Sequence, residues 1–149
     1  MEHVDKANEL YEQGFYCSQA VFAAFAEELG LTEKQAFQVG SCFGGGMCKG
    51  EVCGACTGAL MVLGMKYGRY ISDDWDSQKR ANDIAEKFLE QFRMENGSYI
   101  CSELLGCDIA TVEGKAYARE KKLFSELCPR MVASAVKILE QLDHVGETK

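Results

Sequence analysis

Apolar residues recur at helical spacing through most of the chain, and no stretch of useful length alternates as a half-buried strand does. The clearest stripe lies in Asp73 to Glu95, where Ala81, Ile84, Ala85, Phe88, Leu89 and Phe92 share one face. A second amphipathic helix is predicted over Pro129 to Asp143, with Val132, Ala135, Val136, Leu139 and Leu142 inward and Pro129 in the first turn, where its missing N–H is not needed. Nearer the start, Val4 to Gln13 reads as a helix. Cys17 to Leu29 reads as another, stopped by Gly30. Thr32 and Gln35 form a capping-box pattern for a short helix ending near Gly40. Cys53 to Tyr67 is apolar on nearly every side and carries Gly54, Gly58 and Gly64, so it is predicted to be a central helix approached closely by its neighbours. Val112 to Leu127 reads as a less regular helix. The pattern predicts an all-α fold: one domain over residues 1–149, a bundle of about six to seven helices around the buried glycine-rich one.

Composition narrows the functional classes. The chain has 149 residues, 47% hydrophobic and 26% charged, the make-up of an ordinary globular domain. Its net charge of -7, with Lys and Arg scattered singly among acids, argues against nucleic acid as a partner. The longest apolar run, Gly58 to Met65, is far short of the roughly 20 residues that span a bilayer. The first residues read as a helix rather than a secretion signal, so a cytoplasmic location is expected. His3 and His144 are expected to be solvated, Met61 and Met65 to pack in the core, and Asp73, Asp74 and Asp76 to favour a helix start near an exposed Trp75. No nucleotide fingerprint, zinc-protease motif or Ser-His-Asp set is visible, which leaves hydrolase and hydride-transfer chemistry without support.

Eight cysteines are the compositional oddity. In a reducing compartment such thiols point to metal ligation, redox cycling or plain burial rather than permanent disulfides. The run "MCKGEVCGAC" offers two local readings. Its Cys53-x-x-Cys56 is thioredoxin-like but lacks the strands that fold needs. The spacing of Cys48, Cys53 and Cys56 is that of a plant-type ferredoxin, but in helical surroundings and with the next cysteine far downstream. A wider regularity is more telling: Cys17, Cys53, Cys101 and Cys128 each follow an apolar residue and each open a helical segment. Free N–H groups and the positive end of a helix dipole favour thiolate there, improving a sulfur as nucleophile and as metal ligand. Four such thiolates together call for a cation or for partial oxidation, and a four-cysteine set suits an iron–sulfur cluster or tetrahedral zinc. Gly44, Gly45, Gly46 and Gly50 form either a nest of N–H groups or a flexible turn.

These residues also carry a resemblance. The run "CGACTG", Cys53 to Gly58, resembles the Cys-Gly-Ala-x-x-Gly motif of a prokaryotic family of redox-active proteins that have three further single cysteines. The chain length, Cys17 in "GFYCSQAV", the preceding "FGGGM" and the later Cys101 and Cys128 are similar to that family as well. The resemblance implies redox activity carried by Cys17, Cys53, Cys101 and Cys128, together with Gly54, Ala55 and Gly58. Cys42, Cys48, Cys56 and Cys107 fall outside its pattern; for Cys42 and Cys107 passive burial is expected.

The leading expectation is therefore one site where Cys17, Cys53, Cys101 and Cys128 converge. An iron–sulfur cluster with an electron-transfer role stands first there, and thiol–disulfide exchange with Cys53 as nucleophile second. The competing expectation is a non-catalytic helical partner module with a structural zinc site or only passive buried thiols. A redox partner protein is implied by the first reading, and association with a second copy is left open.

Overall fold

In the computed structural model the described residues are 2–147, with side-chain surroundings described through residue 143; His144 lies beyond them. The chain is all-α, and the described residues form nine helices: α1 (Glu2–Glu12), α2 (Cys17–Ala24), α3 (Glu33–Gly40), α4 (Gly54–Tyr67), α5 (Trp75–Asn96), α6 (Cys101–Leu105), α7 (Val112–Glu120), α8 (Leu123–Glu126) and α9 (Cys128–Glu147). None is long and apolar enough to cross a membrane.

The glycine-rich helix α4 is central, packed by α2, α5 and α9, and Ala55, Cys56, Ala59 and Val62 on it are fully buried. Its glycines act as close-approach points. A Cβ at Gly58 would lie 2.6 Å from the Ser18 carbonyl oxygen, so α2 and α4 touch backbone to backbone only because no side chain intervenes. Gly64 has open space around it and plays no such part. Ser18, fully buried at this crossing, donates its hydroxyl to the Gly40 carbonyl at 2.7 Å, which fastens the end of α3 to α2.

The long amphipathic helices follow their sequence pattern. α5 begins at an Asp74 cap whose Oδ1 accepts the Ser77 N–H at 3.1 Å, ends at left-handed Gly97, and buries Phe88 and Phe92. α9 buries Val132, Ala135, Val136 and Leu139 as expected, and starts at Cys128, one residue before Pro129. Thr32 and Gln35 exchange the two hydrogen bonds of a capping box at 3.0 Å each. Trp75 is exposed, with the Arg69 guanidinium 4.0 Å above its ring.

Several expectations need correction. The second helix stops at Ala24, and the chain continues to Gly30 as hydrogen-bonded turns. The segment Val112 to Leu127 breaks into α7 and α8 at Lys122, whose φ of 59 cannot continue a right-handed helix. Met65 is exposed, because it faces outward near the end of α4, while Met61 packs against the core. His3 is not simply solvated: its ring stacks on Phe25 with centroids 4.1 Å apart, and its nitrogens meet Glu28 and Glu140. Lys66 extends this cluster to Asp143 at 2.7 Å and Glu28 at 3.2 Å, so charged groups tie α1, α4 and α9 to the turn after α2.

Candidate redox site

The cysteine positions predicted at helix starts are found there. Cys17, Cys101 and Cys128 are the first residues of α2, α6 and α9, and Cys53 caps α4. All four line one cavity of about 430 Å³. Two of them are placed by a feature too short for the sequence to betray. Val52 and Ile100 form an isolated antiparallel bridge, flanked by Cys53 N–H to Tyr99 C=O at 2.8 Å and Cys101 N–H to Glu51 C=O at 2.6 Å. Alternation along this ribbon puts Cys53 and Cys101 on the same side, just before each chain turns into its helix.

Cys17 meets Cys53 from α2. The two thiols lie close enough to shift one another's protonation, and Gly45 and Ser18 direct backbone N–H groups at the Cys17 sulfur while Ala55 directs its own at Cys53. Gly54 makes room for this, since a Cβ on it would sit 2.4 Å from Cys17 Sγ. Gly54 lines the cavity; Ala55 serves through its N–H, and Gly58 serves the α2–α4 crossing rather than the cavity.

The glycine loop has a definite shape. Gly45, Gly46, Met47 and Cys48 all have left-handed φ, between 59 and 65, which is a strained conformation for the two residues that carry side chains. A Cβ at Gly46 would collide with the Glu51 nitrogen at 2.4 Å. The turn carries the Gly45 N–H to Cys17 and leaves exposed Cys48 on the cavity wall. Of the remaining thiols, Cys56 is fully buried in the core, one turn after Cys53, whose carbonyl accepts the Cys56 N–H at 2.9 Å. Passive burial fails for Cys42, which is exposed, whereas Cys107 is half-buried and packs against the small cluster of Cys101, Leu105, Ile109 and Ala118.

The electrostatics reverse one expectation. Helix N-termini favour thiolate, yet all four site thiols are pushed above the ordinary thiol range. For Cys17 the hydrogen bond with Cys53 comes first and burial second. For Cys53 the hydrogen bond from Cys17 pulls down, but that with Cys56 and burial outweigh it. Burial, with neighbouring sulfurs adding to it, raises Cys101 to about 12 and Cys128 to about 11. Desolvation and the repulsion between like anions exceed what the helix ends supply.

Three residues outside the sequence pattern complete the site. Tyr11 on α1 donates its hydroxyl to the Phe124 carbonyl at 2.6 Å and lies on the cavity beside Cys128. Lys115 and Arg119, one turn apart on α7, line the same cavity. No motif marked them; they arrive by the packing of α1, α7 and α8 around the thiols.

Four sulfurs on one wall are the donor set of a four-cysteine cluster or of zinc. Among the described residues, however, no three Cys, His, Asp or Glu side chains gather about one point closely enough to hold a metal ion.

A family model described as "Putative redox-active protein (C_GCAxxG_C_C)" matches residues 15–142. The chain belongs to that family. The matched span includes Cys17, Cys53, Cys101 and Cys128, so the four cavity thiols all lie within the redox-active family's domain. The family's name orders its motif Gly-Cys-Ala, whereas this member carries Cys53-Gly54-Ala55, with Gly58 at the final glycine. No curated protein and no solved structure matches the chain.

Proposed function

We propose that this family member is a cytoplasmic thiol–disulfide redox protein whose working pair is Cys17 and Cys53. The observation that carries this reading is the placement of Cys17, at the start of α2, beside Cys53, at the start of α4: both line one cavity, and a Cβ on the intervening Gly54 would lie 2.4 Å from Cys17 Sγ. Cys53, which caps α4 on the cavity and receives the Ala55 N–H, is the sulfur that attacks an incoming disulfide. The attack forms a mixed disulfide and expels one thiolate; Cys17 then attacks Cys53, closes the protein disulfide and expels the second. Two protein thiols are oxidised, one external disulfide is reduced to two thiols, and a dithiol reductant of the compartment resets the pair. Cys56 lies on the core side of Cys53 and away from the cavity, so it is not the resolving thiol.

A second reading is favoured by a separate observation: Cys101 and Cys128 share the cavity wall with the pair, and backbone N–H groups already face two of the sulfurs. Cys17, Cys53, Cys101 and Cys128 would have to draw closer together than they stand here to hold an iron–sulfur cluster, which would supply one-electron transfer when bound. Anaerobic purification decides between them. Protein without iron or sulfide, whose alkylatable thiol count falls by two on mild oxidation and stays constant in Cys53→Ser, supports exchange. Stoichiometric iron and sulfide support the cluster. Zinc with an unchanging thiol count supports a structural module instead.

A further inference from the structure

The cavity wall carries chemistry that thiol exchange alone does not require. Apart from the sulfurs it is largely apolar, with Leu105, Ile109, Phe124 and Met131 among its lining residues. Among the described residues the only charged side chains on it are Lys115 and Arg119, and no aspartate or glutamate lines it, in a chain with 23 acids and 16 Lys and Arg. Neither cation has an ion-pair partner among the described residues, whereas Lys6, Lys66, Lys79 and Arg93 all do. Glu113 and Glu120, on the same helix, lie off the cavity. Both cations are exposed at the cavity's edge, free to meet a ligand from solvent. A volume of about 430 Å³ suits a small organic molecule.

Resting on the thiol–disulfide reading above, we infer that the substrate is a small organic disulfide with an apolar body and carboxylate groups, which Lys115 and Arg119 hold at the mouth of the cavity. The cations contribute twice. They pair with the carboxylates and orient the sulfur–sulfur bond towards Cys53. They also offset the negative charge of the thiolate that departs when Cys53 attacks, a charge the apolar wall cannot solvate. The balance is that of the exchange itself: the substrate's S–S bond breaks, its two sulfurs leave with the electron pairs and end as thiols or thiolates, and Cys17 and Cys53 end as one disulfide. The protons of the two protein thiols go to solvent or to the products.

Two aromatic disulfides of similar size separate the terms of this inference: 5,5′-dithiobis(2-nitrobenzoate), which carries two carboxylates, and neutral 2,2′-dithiodipyridine. Both release a coloured thiol, and replacing Cys42, Cys48 and Cys107 by serine removes the more accessible competing thiols. In that background, Lys115→Ala with Arg119→Ala is expected to slow the dianionic probe about tenfold and the neutral probe less than about twofold. The exchanged pair Lys115→Arg with Arg119→Lys is expected to keep most of the rate, and added salt to reduce the dianion's advantage. Equal slowing of both probes, or no slowing of either, overturns the inference while leaving exchange intact. If neither probe converts Cys17 and Cys53 to a disulfide, the exchange reading itself fails. The neutral-probe rate and unchanged helical circular dichroism confirm that the variant is folded.

Discussion

Gly54→Ala tests the placement of Cys17 against Cys53 through a single methyl group. The added Cβ would stand 2.4 Å from Cys17 Sγ and 3.2 Å from both the Phe43 carbonyl oxygen and the Ser18 nitrogen. Real Cβ atoms do not approach a sulfur so closely, so Cys17 must move, and α2 resists because Gly58 lies against the Ser18 carbonyl. Overpacking of this kind costs about 1–3 kcal/mol. The ordinary helix preference for alanine over glycine returns roughly 0.5–1 kcal/mol of that. A net loss of about 1–2 kcal/mol is expected, read as a lower urea midpoint at unchanged slope. Gly64→Ala on the same helix is the matched control: with open space around it, it should stabilise by about 0.5–1 kcal/mol. A double-mutant cycle assigns the cause. In a Cys17→Ala background the worst clash is gone, and the cost of Gly54→Ala should shrink by about 1 kcal/mol or more. If that cost is the same with and without the Cys17 sulfur, or if Gly54→Ala and Gly64→Ala behave alike, the contact between α4 and the Cys17 thiol is wrong.

Met47→Gly should stabilise the chain by about 1 kcal/mol in chemical denaturation, because Met47 is exposed and its φ of 59 is left-handed. Peptide-resolved alkylation of Cys101 and Cys128 should accelerate about tenfold per pH unit from pH 7 to 9, with no plateau in that range. Burial, which holds these thiols near about 12 and about 11, keeps them protonated there, and a plateau near neutral pH would refute it. For Glu28, burial pushes the carboxyl up, but hydrogen bonds from His3 and Lys66 outweigh it and hold the folded-state pKa below the ordinary value. Its contribution is therefore present above the unfolded pKa and is lost as pH falls through the lower folded one. Glu28→Gln should lower the urea midpoint at pH 7 and narrow the gap between pH 7 and pH 3; an unchanged gap would remove Glu28 from the acid response.

The helices with long apolar stripes were legible because their burial is periodic: Phe88 and Phe92 on α5, and Val132, Ala135, Val136 and Leu139 on α9, repeat on one face. Gly54 and Gly58 were legible for another reason. Glycine is unfavourable in a helix, so two of them in the most apolar one point to close neighbours, and Cys17 and Ser18 are those neighbours. The four thiols could be grouped because a helix start recurs at each. What the sequence could not convey depends on distant partners. The Val52–Ile100 bridge is a single residue pair, too short to leave an alternating pattern. Tyr11, Lys115 and Arg119 come to the same cavity as the thiols only through the packing of helices far apart in the chain. The direction of the thiol pKa shifts was misjudged for the same reason: a helix end is visible locally, while burial and the Cys17–Cys53 contact exist only in the folded protein.

The account turns on Cys17 and Cys53 acting as a pair, and a redox titration with peptide-resolved alkylation tests that most directly. Reduced protein is equilibrated at a series of dithiol/disulfide ratios, alkylated, and scored at each cysteine by mass spectrometry. Protection of Cys17 and Cys53 should rise together along one two-electron curve, with a single Cys17–Cys53 crosslinked peptide at the oxidising end. If both remain alkylatable across the whole range, or if Cys53 pairs with Cys56 while Cys17 stays free, the central claim is contradicted.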